Sequence, residues 1–145
     1  MRISTKGKYG LKAVVDIALT SLEQKSVSIK SIAQRQGISE NYLEQIISNL
    51  KRAGIVGSVR GANGGYYLKK PAEQITVGDI LRILEGPLTP TNCAIDPTND
   101  ACGESDCSSC STKEVWLALF NKINEVVDSI SIADLAKDPE PLILF

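Results

Sequence analysis

The hydrophobic positions of this chain recur at helical spacing over most of its length. After Thr5, a possible N-cap, apolar residues repeat every three or four positions and predict an amphipathic first helix. The members of this stripe are Leu11, Val14, Val15, Ala18, Leu19 and Leu22. A second, shorter helix is predicted from Ser28 to Arg35, and Gly37 suits the left-handed residue that ends a helix. Its inward residues are Ile29, Ile32 and Ala33.

A third helix follows at once, because Ser39 can cap it and a stripe of apolar residues continues beyond. The stripe consists of Leu43, Ile46, Ile47 and Leu50. The opposite side of the same helix is polar and consists of Asn41, Glu44, Gln45, Ser48 and Arg52. Two short helices joined by a glycine-containing turn, the second with an exposed polar stripe, are typical of a helix-turn-helix.

Two β-prone runs come next, Ile55–Arg60 and Tyr66–Lys69, and a glycine-rich link joins them. This pattern predicts a β-hairpin, and a helix-turn-helix followed by a hairpin is a winged helix. Thr76, with Asp79 three residues later, caps another short helix that Gly86 and Pro87 end.

The rest of the chain divides into a loop and a long helix. Residues 88–111 carry almost no apolar side chains, whereas helical spacing resumes near Thr112 in one apolar stripe. The stripe contains Trp116, Leu119, Phe120, Ile123, Val127 and Ile130, and Ile132, Leu135 and an extended tail follow. It suits either cover for its own domain or the seam of a two-fold dimer, and its length favours the dimer. Two recognition helices would then read a palindrome, about 34 Å apart.

These patterns predict a mainly α protein with a small β-hairpin. We expect a winged helix-turn-helix DNA-binding domain in residues 1–86, a cysteine-rich loop in 87–111, and a dimerisation helix with a C-terminal tail in 112–145. The 145 residues are enough for one such domain and its arm.

The charge is unevenly distributed. Residues 1–70 contain 12 basic and 4 acidic residues, while residues 71–145 contain 4 basic and 13 acidic ones, so the net charge of −1 is a cancellation. A basic half next to an acidic half indicates that the first half meets a polyanion. Chance segregation of surface charges is the alternative.

The polar stripe of the third helix has the side chains that read base edges, since amides bond adenine and a carboxylate accepts from cytosine. The basic residues suited to phosphates are Arg2, Lys6, Lys8, Lys51 and Arg52. Arg60, beside the flexible glycine link, suits a narrow minor groove. Each of these residues has the simpler interpretation of a solvated surface side chain.

The four cysteines fall within 18 residues, at Cys93, Cys102, Cys107 and Cys110. In a reducing compartment such a cluster indicates metal ligands or a redox switch before it indicates disulfides. Only the last pair forms Cys-x-x-Cys, so the paired knuckles of a zinc ribbon are missing. An iron–sulfur cluster, zinc and metal-free thiols all remain open, with the iron–sulfur cluster favoured.

Several function classes are excluded or disfavoured. The chain has no histidine, so neither a Ser-His-Asp nor a Cys-His pair can form, and we expect no enzyme and no small-molecule substrate. No stretch is long and apolar enough for a membrane span, and no signal region opens the chain, so we expect a cytoplasmic protein without a membrane partner. A winged-helix adaptor that binds protein instead of DNA is the alternative from another class.

The combination of motifs resembles a known family. It consists of residues 1–10 (MRISTKGKYG), Gly37-Ile38-Ser39 with Tyr42-Leu43-Glu44-Gln45, Val59-Arg60-Gly61 with Gly64-Gly65-Tyr66, and Val77-Gly78-Asp79. These motifs resemble the IscR-type iron–sulfur regulators of the Rrf-two (Rrf2) family of winged-helix repressors, over residues 1–135. The resemblance implies a cytoplasmic homodimer that binds double-stranded, palindromic operator DNA. It implies base reading by Asn41, Glu44 and Gln45, with Glu44 discriminating between operator classes, and minor-groove contact by Arg60.

The resemblance also implies that Cys93, Cys102 and Cys107 are the three cysteine ligands of a 2Fe-2S cluster that controls DNA binding. The spacing differs from the family pattern, and Cys110 stands where IscR-type proteins have a histidine ligand. Other relatives take an acidic ligand from the start of the first helix, where this chain has Lys8, Tyr9 and Lys12. We therefore expect all four ligands on the loop, with zinc or a thiol switch on the same cysteines as the alternative.

Overall fold

The computed structural model of the protein describes residues 1–20, 26–95 and 110–137. These residues form six α-helices and one antiparallel pair of strands, which confirms a mainly α fold with a small hairpin. The helices are α1 (Thr5–Thr20), α2 (Ile29–Gln36), α3 (Glu40–Arg52), α4 (Val77–Glu85), α5 (Lys113–Ser129) and α6 (Ile132–Leu135). The strands are β1 (Val56–Val59) and β2 (Gly65–Leu68), and 3-10 turns occur at Ala72–Gln74 and Asn92–Ala94.

Helix α1 begins at Thr5, the residue predicted as its cap, so the cap lies one residue earlier than predicted. Ser4 is the capping residue, since its hydroxyl accepts from the Gly7 N–H at 3.3 Å, and the prediction of Thr5 was wrong. The buried face is also rotated from the predicted stripe, because α1 packs against α2, α3 and α4 at once. That face consists of Ala13, Val14, Ile17 and Ala18. Leu19 lies outside it and is exposed, and Leu22 lies outside the described residues.

The helix-turn-helix formed by α2 and α3 confirms the predicted roles of Gly37 and Ser39 and the predicted core of α3, whereas Ser28, predicted as the first residue of α2, is its cap. Ser28 accepts from the Ser31 N–H at 3.2 Å, Ser39 accepts from the Tyr42 N–H at 3.3 Å, and Gly37 ends α2 with φ +66°. That backbone conformation strains residues with a β-carbon, which explains the glycine. The predicted inward residues of α3, Leu43, Ile46, Ile47 and Leu50, are all buried.

The wing is shorter than predicted but better anchored. Val56 pairs with Leu68 and Val59 with Gly65, so Arg60 belongs to the turn. Val27, just before α2, pairs with Tyr66 through two N–H to carbonyl bonds of 2.8 Å. A β-carbon at residue 65 would lie 2.5 Å from the Val27 backbone, so this close approach requires glycine. The wing is therefore hydrogen-bonded directly to the segment that leads into the helix-turn-helix.

Helix α4 begins with the predicted capping box, in which Thr76 and Asp79 exchange bonds of 3.0 Å. After Ile130 the chain forms a separate short helix, α6, up to Leu135, and the extended tail predicted beyond Leu135 falls mainly on residues 138–145, which lie outside the described residues. A second capping box between Ser131 and Asp134 starts α6, and the Ser131 hydroxyl lowers the pKa of the Asp134 carboxyl. Ile132 is fully buried, so this helix closes the core beside α1.

Helix α5 packs along α4 by one edge only. Ile123, Val127 and Ile130 contact a small cluster of Val77, Leu81 and Leu88. No residue of α5 is fully buried, and its other edge leaves Val115 55%, Leu119 44% and Val126 42% exposed. The predicted stripe thus covers its own chain in part and leaves an apolar edge free. Within the described residues, no helix is long and apolar enough to cross a membrane.

Candidate nucleic-acid interface

The outer face of α3 is polar and open to solvent. All five predicted residues on it are exposed, namely Asn41, Glu44, Gln45, Ser48 and Arg52. At 100° per residue they fall within an arc of about 100°, opposite the buried stripe. The major groove of B-form DNA admits an α-helix, and this face of α3 carries the amide, carboxylate and hydroxyl groups that can bond base edges.

An ion pair between the buried Asp16 carboxylate and the exposed Arg35 fixes the helix-turn-helix against α1. The Asp16 carboxylate, 7% exposed, accepts from Arg35 Nε at 2.9 Å and Arg35 Nη2 at 2.6 Å. Gln36 Nε2 donates to the same carboxylate at 3.0 Å. The hydrogen bond with Asp16 raises the pKa of the Arg35 guanidinium. Since Arg35 and Gln36 form the last turn of α2, this group holds the turn that orients α3.

An aromatic contact places the basic start of α1 beside the start of α3. The Tyr9 and Tyr42 rings meet edge to face, with centroids 6.3 Å apart. Lys12 Nζ lies 5.7 Å from the Tyr9 ring centroid, on the exposed side of α1. Sequence reasoning did not include Lys12 among the DNA contacts, although it follows the predicted Lys8 by one helical turn. We therefore add Lys12 to the candidate interface.

The other predicted basic residues occupy varied settings. Arg2 and Lys8 are exposed and Lys6 is half-buried at the start of α1. This end of α1 is held by Ser4, whose hydroxyl donates to Glu85 at the end of α4. Arg52 is exposed but donates to Asn49 within α3, so a phosphate must compete with that bond.

The wing presents Arg60 at its exposed turn. Gly61, next to it, has φ +112°, and Gly64 N–H donates to the Gly61 carbonyl at 2.9 Å to close the turn. Ser26 Oγ donates to the Asn63 carbonyl at 3.0 Å and so ties the tip to the segment before α2. Lys51 Nζ donates to Ser58 Oγ at 2.6 Å, which joins the end of α3 to β1. The geometry thus gives α3 and Arg60 a fixed relative position.

The structure describes two of the four predicted cysteine ligands. Cys93 is buried in the turn Asn92–Ala94, which packs against α5, and Cys110 is partly exposed three residues before α5 begins. Each sulfur has a threonine hydroxyl as partner, since Cys93 Sγ lies 3.1 Å from Thr91 Oγ1 and Cys110 Sγ 3.3 Å from Thr112 Oγ1. Hydrogen bonding to Thr112 lowers the pKa of the Cys110 thiol. Cys102 and Cys107 lie outside the described residues.

The donor chemistry of these residues fits a thiolate-bound group. Both described cysteines are free thiols, and thiolates bind iron–sulfur clusters and zinc alike. Among the described residues, no three His, Cys, Asp or Glu side chains converge on one point.

A helix-turn-helix with an exposed polar helix, a wing with a free arginine and a basic flank define a winged-helix DNA-binding protein. A family model described as "Iron-dependent Transcriptional regulator", Rrf2, matches residues 3–138. The chain belongs to the Rrf2 family of transcription regulators. These relatives are regulators and not enzymes, in agreement with the sequence prediction.

The similar proteins include regulators named CymR and IscR. The HTH-type transcriptional regulator CymR of Bacillus subtilis is 42% identical over 136 residues, covering 94% of this chain and 90% of CymR. Its solved structure, titled as that of the global cysteine regulator, has a TM-score of 0.79 at 39% identity and covers 97% of this chain and 99% of that one. A solved structure of T. potens IscR has a TM-score of 0.76 at 46% identity, and the match covers 97% of this chain and 89% of that one.

Proposed function

We propose that this protein is a dimeric, operator-binding transcription regulator of the bacterial cytoplasm whose DNA binding is controlled by an iron–sulfur cluster of 2Fe-2S type. Membership in the Rrf2 family supports DNA binding and transcription regulation. The single observation that carries the DNA-binding part is the exposed polar arc of α3, which Asp16, Arg35 and the Val27–Tyr66 pairing hold in place.

DNA recognition divides between base edges and phosphates. Asn41, Glu44, Gln45 and Ser48 would meet the major groove, and Arg60 would enter the adjacent minor groove. The residues assigned to phosphates are Arg2, Lys6, Lys8, Lys12 and Arg52. Phosphate contacts fix the register of the protein on the duplex, whereas base contacts select the sequence.

The dimer is supported by the apolar edge of α5. Val115, Leu119 and Val126 are exposed, and their spacing of four and seven residues places them on one side of the helix. A second copy of α5 would cover these side chains by the two-fold symmetry usual for homodimers. Such a dimer presents two α3 helices, and its operator is therefore a palindrome.

The cluster would be held by Cys93, Cys102, Cys107 and Cys110, with Cys110 as the fourth ligand. When bound, it supplies a redox-active, labile group that ties the cysteine segment together. The residues of this chain shape its surroundings: Thr91 and Thr112 provide hydroxyls beside two of the sulfurs. Partners of ligand atoms of this kind orient the ligands and tune the bound group.

The test begins with anaerobic purification and measurement of iron, sulfide and visible absorption. We expect a coloured protein with about two iron and two sulfide per chain and a change in operator affinity when the cluster is removed. Cys110→Ser should lower cluster occupancy strongly, whereas the neighbouring Ser111→Ala should not. Colourless protein that resists reconstitution would refute the cluster while leaving DNA binding intact.

The second candidate is a zinc or thiol switch on the same four cysteines, and a solved structure described as the oxidized form of Staphylococcus aureus CymR, 37% identical to this chain, favours the thiol version. It predicts either one zinc per chain in protein from iron-replete cells or operator binding that changes with thiol oxidation alone. Metal analysis of the purified protein and operator binding before and after mild oxidation separate this candidate from the cluster.

A further inference from the structure

A fork of three polar side chains, Arg82, Asn124 and Asp128, joins the winged domain to α5. Arg82, on α4, donates through Nη1 to Asn124 Oδ1 at 2.9 Å and through Nη2 to Asp128, one turn further along α5. Asn124 Nδ2 in turn donates to the Leu88 carbonyl at 3.2 Å, just where the cysteine segment begins. One guanidinium thus links three parts of the chain.

The fork lies at a close approach of the two helices. A β-carbon at Gly78 would collide with the Asp128 carboxylate and the Arg82 guanidinium, so the glycine leaves the space that this ion pair occupies. The remaining contacts between these helices are apolar, through Leu81, Ile123 and Val127. Apolar packing is non-directional and tolerates small slides and rotations, whereas two hydrogen bonds spaced one turn apart fix both.

The fork contributes little to stability. The side chains of Arg82 and Asp128 are 35% and 45% exposed, and ion pairs at such positions stabilise a fold only weakly. The effect of the fork is therefore on geometry, namely the angle and register of α5 on a domain whose α4 also packs on α1 and α3.

We propose that Arg82 is a positioning residue that sets the spacing of the two operator half-sites, by fixing α5 against the winged domain through Asn124 and Asp128. This inference rests on the proposed α5-mediated dimer. If α5 joins the two copies, the α4–α5 angle determines the separation of the two α3 helices, and one base pair of spacing shifts a half-site by about 3.4 Å along the duplex.

The experiment measures the affinity of the full-length protein for duplexes that carry the same two half-sites at spacings from two base pairs shorter to two longer than the optimum. For the wild type we expect one sharp optimum. For Arg82→Met we expect the preference for that optimum over its neighbours to fall by about fivefold or more, with an unchanged dimer. Asp128→Asn, a smaller change, should broaden the profile in the same direction and serves if Arg82→Met fails to fold. Lys137→Met, which removes the cation of an exposed ion pair with Asp134 on α6, is the matched control and should keep the wild-type profile.

An identical sharp profile for wild type, Arg82→Met and Asp128→Asn would overturn the inference and leave the proposed function standing. A uniform loss of affinity at every spacing would also overturn it, since that is what a merely structural role predicts. If wild-type protein binds two half-sites no better than one, the proposed dimeric function fails first, and the inference fails with it.

Discussion

Helices α3 and α5 are both amphipathic, yet α3 buries its apolar stripe completely and α5 buries its apolar side chains only in part. Helix α3 buries all four of its stripe residues within the chain and exposes a polar face. Helix α5 buries no residue completely and exposes apolar side chains at Val115, Leu119 and Val126. An exposed polar face costs nothing in water, whereas a row of exposed apolar side chains indicates a surface that another molecule covers.

The two helices therefore differ in whether contacts within one chain are enough to cover their apolar side chains. The position of α3 is determined by contacts inside one chain, so its outer face is available for a ligand. The packing of α5 is finished only on the edge that meets α4. We infer that the chain folds around α3 and associates with a second copy through α5.

The largest effect is expected for Leu119→Glu, which places a charge in the centre of the exposed apolar edge. Burying an unpaired carboxylate in an interface is strongly unfavourable, so the dimer should dissociate. Losing the link between two binding units should weaken operator binding by about 100-fold or more. Sedimentation equilibrium and operator titration measure both effects. Asn121→Glu, exposed on the other side of α5, should leave both unchanged. A Leu119→Glu dimer of normal stability would remove the basis for the α5 interface.

A smaller loss is expected for Gln45→Ala on the polar arc of α3. The affinity for the operator should fall by about 1–3 kcal/mol and the preference at one base position should relax. The measurement is titration against the operator and against single-base variants. Gln34→Ala, an exposed glutamine on α2, is the control. An equal loss on random DNA would argue against direct base reading by this residue.

Asp16→Ala tests the support beneath α3. Removing the carboxylate leaves Arg35 and Gln36 without their partner, and we expect a loss of about 1–2 kcal/mol in unfolding free energy, limited because water reaches Arg35. Urea unfolding measures it. Glu125→Ala breaks the exposed ion pair with Lys122 and should change stability by less than about 0.5 kcal/mol. If the two variants lose the same amount of unfolding free energy, the Asp16–Arg35 pair stabilises the fold no more than an exposed surface pair does.

The smallest effect is expected for Arg60→Ala at the wing. Operator affinity should fall by about 1 kcal/mol, and the dependence of log affinity on log salt should become shallower by about one unit, because one cation is lost from the negative potential of the minor groove. Titrations at several salt concentrations measure the slope, with Lys137→Ala as control. An unchanged slope and affinity would argue against a DNA contact by Arg60, and the absence of salt-sensitive DNA binding in the wild type as well would support the adaptor alternative.

Local signals predicted the winged domain well. Gly37, Ser39 and the Thr76–Asp79 box act as caps, as predicted, through bonds that span three or four residues, and such bonds are encoded in short stretches of sequence. The polar arc of α3 was likewise predictable, because helical periodicity alone places its residues together. The same kind of signal was available and unused at Ser131, where a capping box with Asp134 starts α6.

Contacts between distant residues escaped prediction. The Asp16–Arg35 pair joins positions 19 apart, the Val27–Tyr66 pairing joins 39, and the Arg82–Asp128 contact joins 46. No periodicity encodes which helices cross or at what angle, so the burial of Asp16 and the exposure of Leu19 could not be read from the chain. The domain limits and the cysteine ligands remain predictions.

The pairing of Val27 with Tyr66 has a consequence for the nucleic acid. Because Val27, two residues before α2, pairs with Tyr66 in the hairpin, a movement of the wing away from the helix-turn-helix would break two backbone hydrogen bonds. Where the distance between α3 and the wing does not match straight B-form DNA, we expect the duplex to deform instead of the protein. We expect strongly bound sites to contain steps that kink or narrow at little energetic cost, at positions no side chain touches.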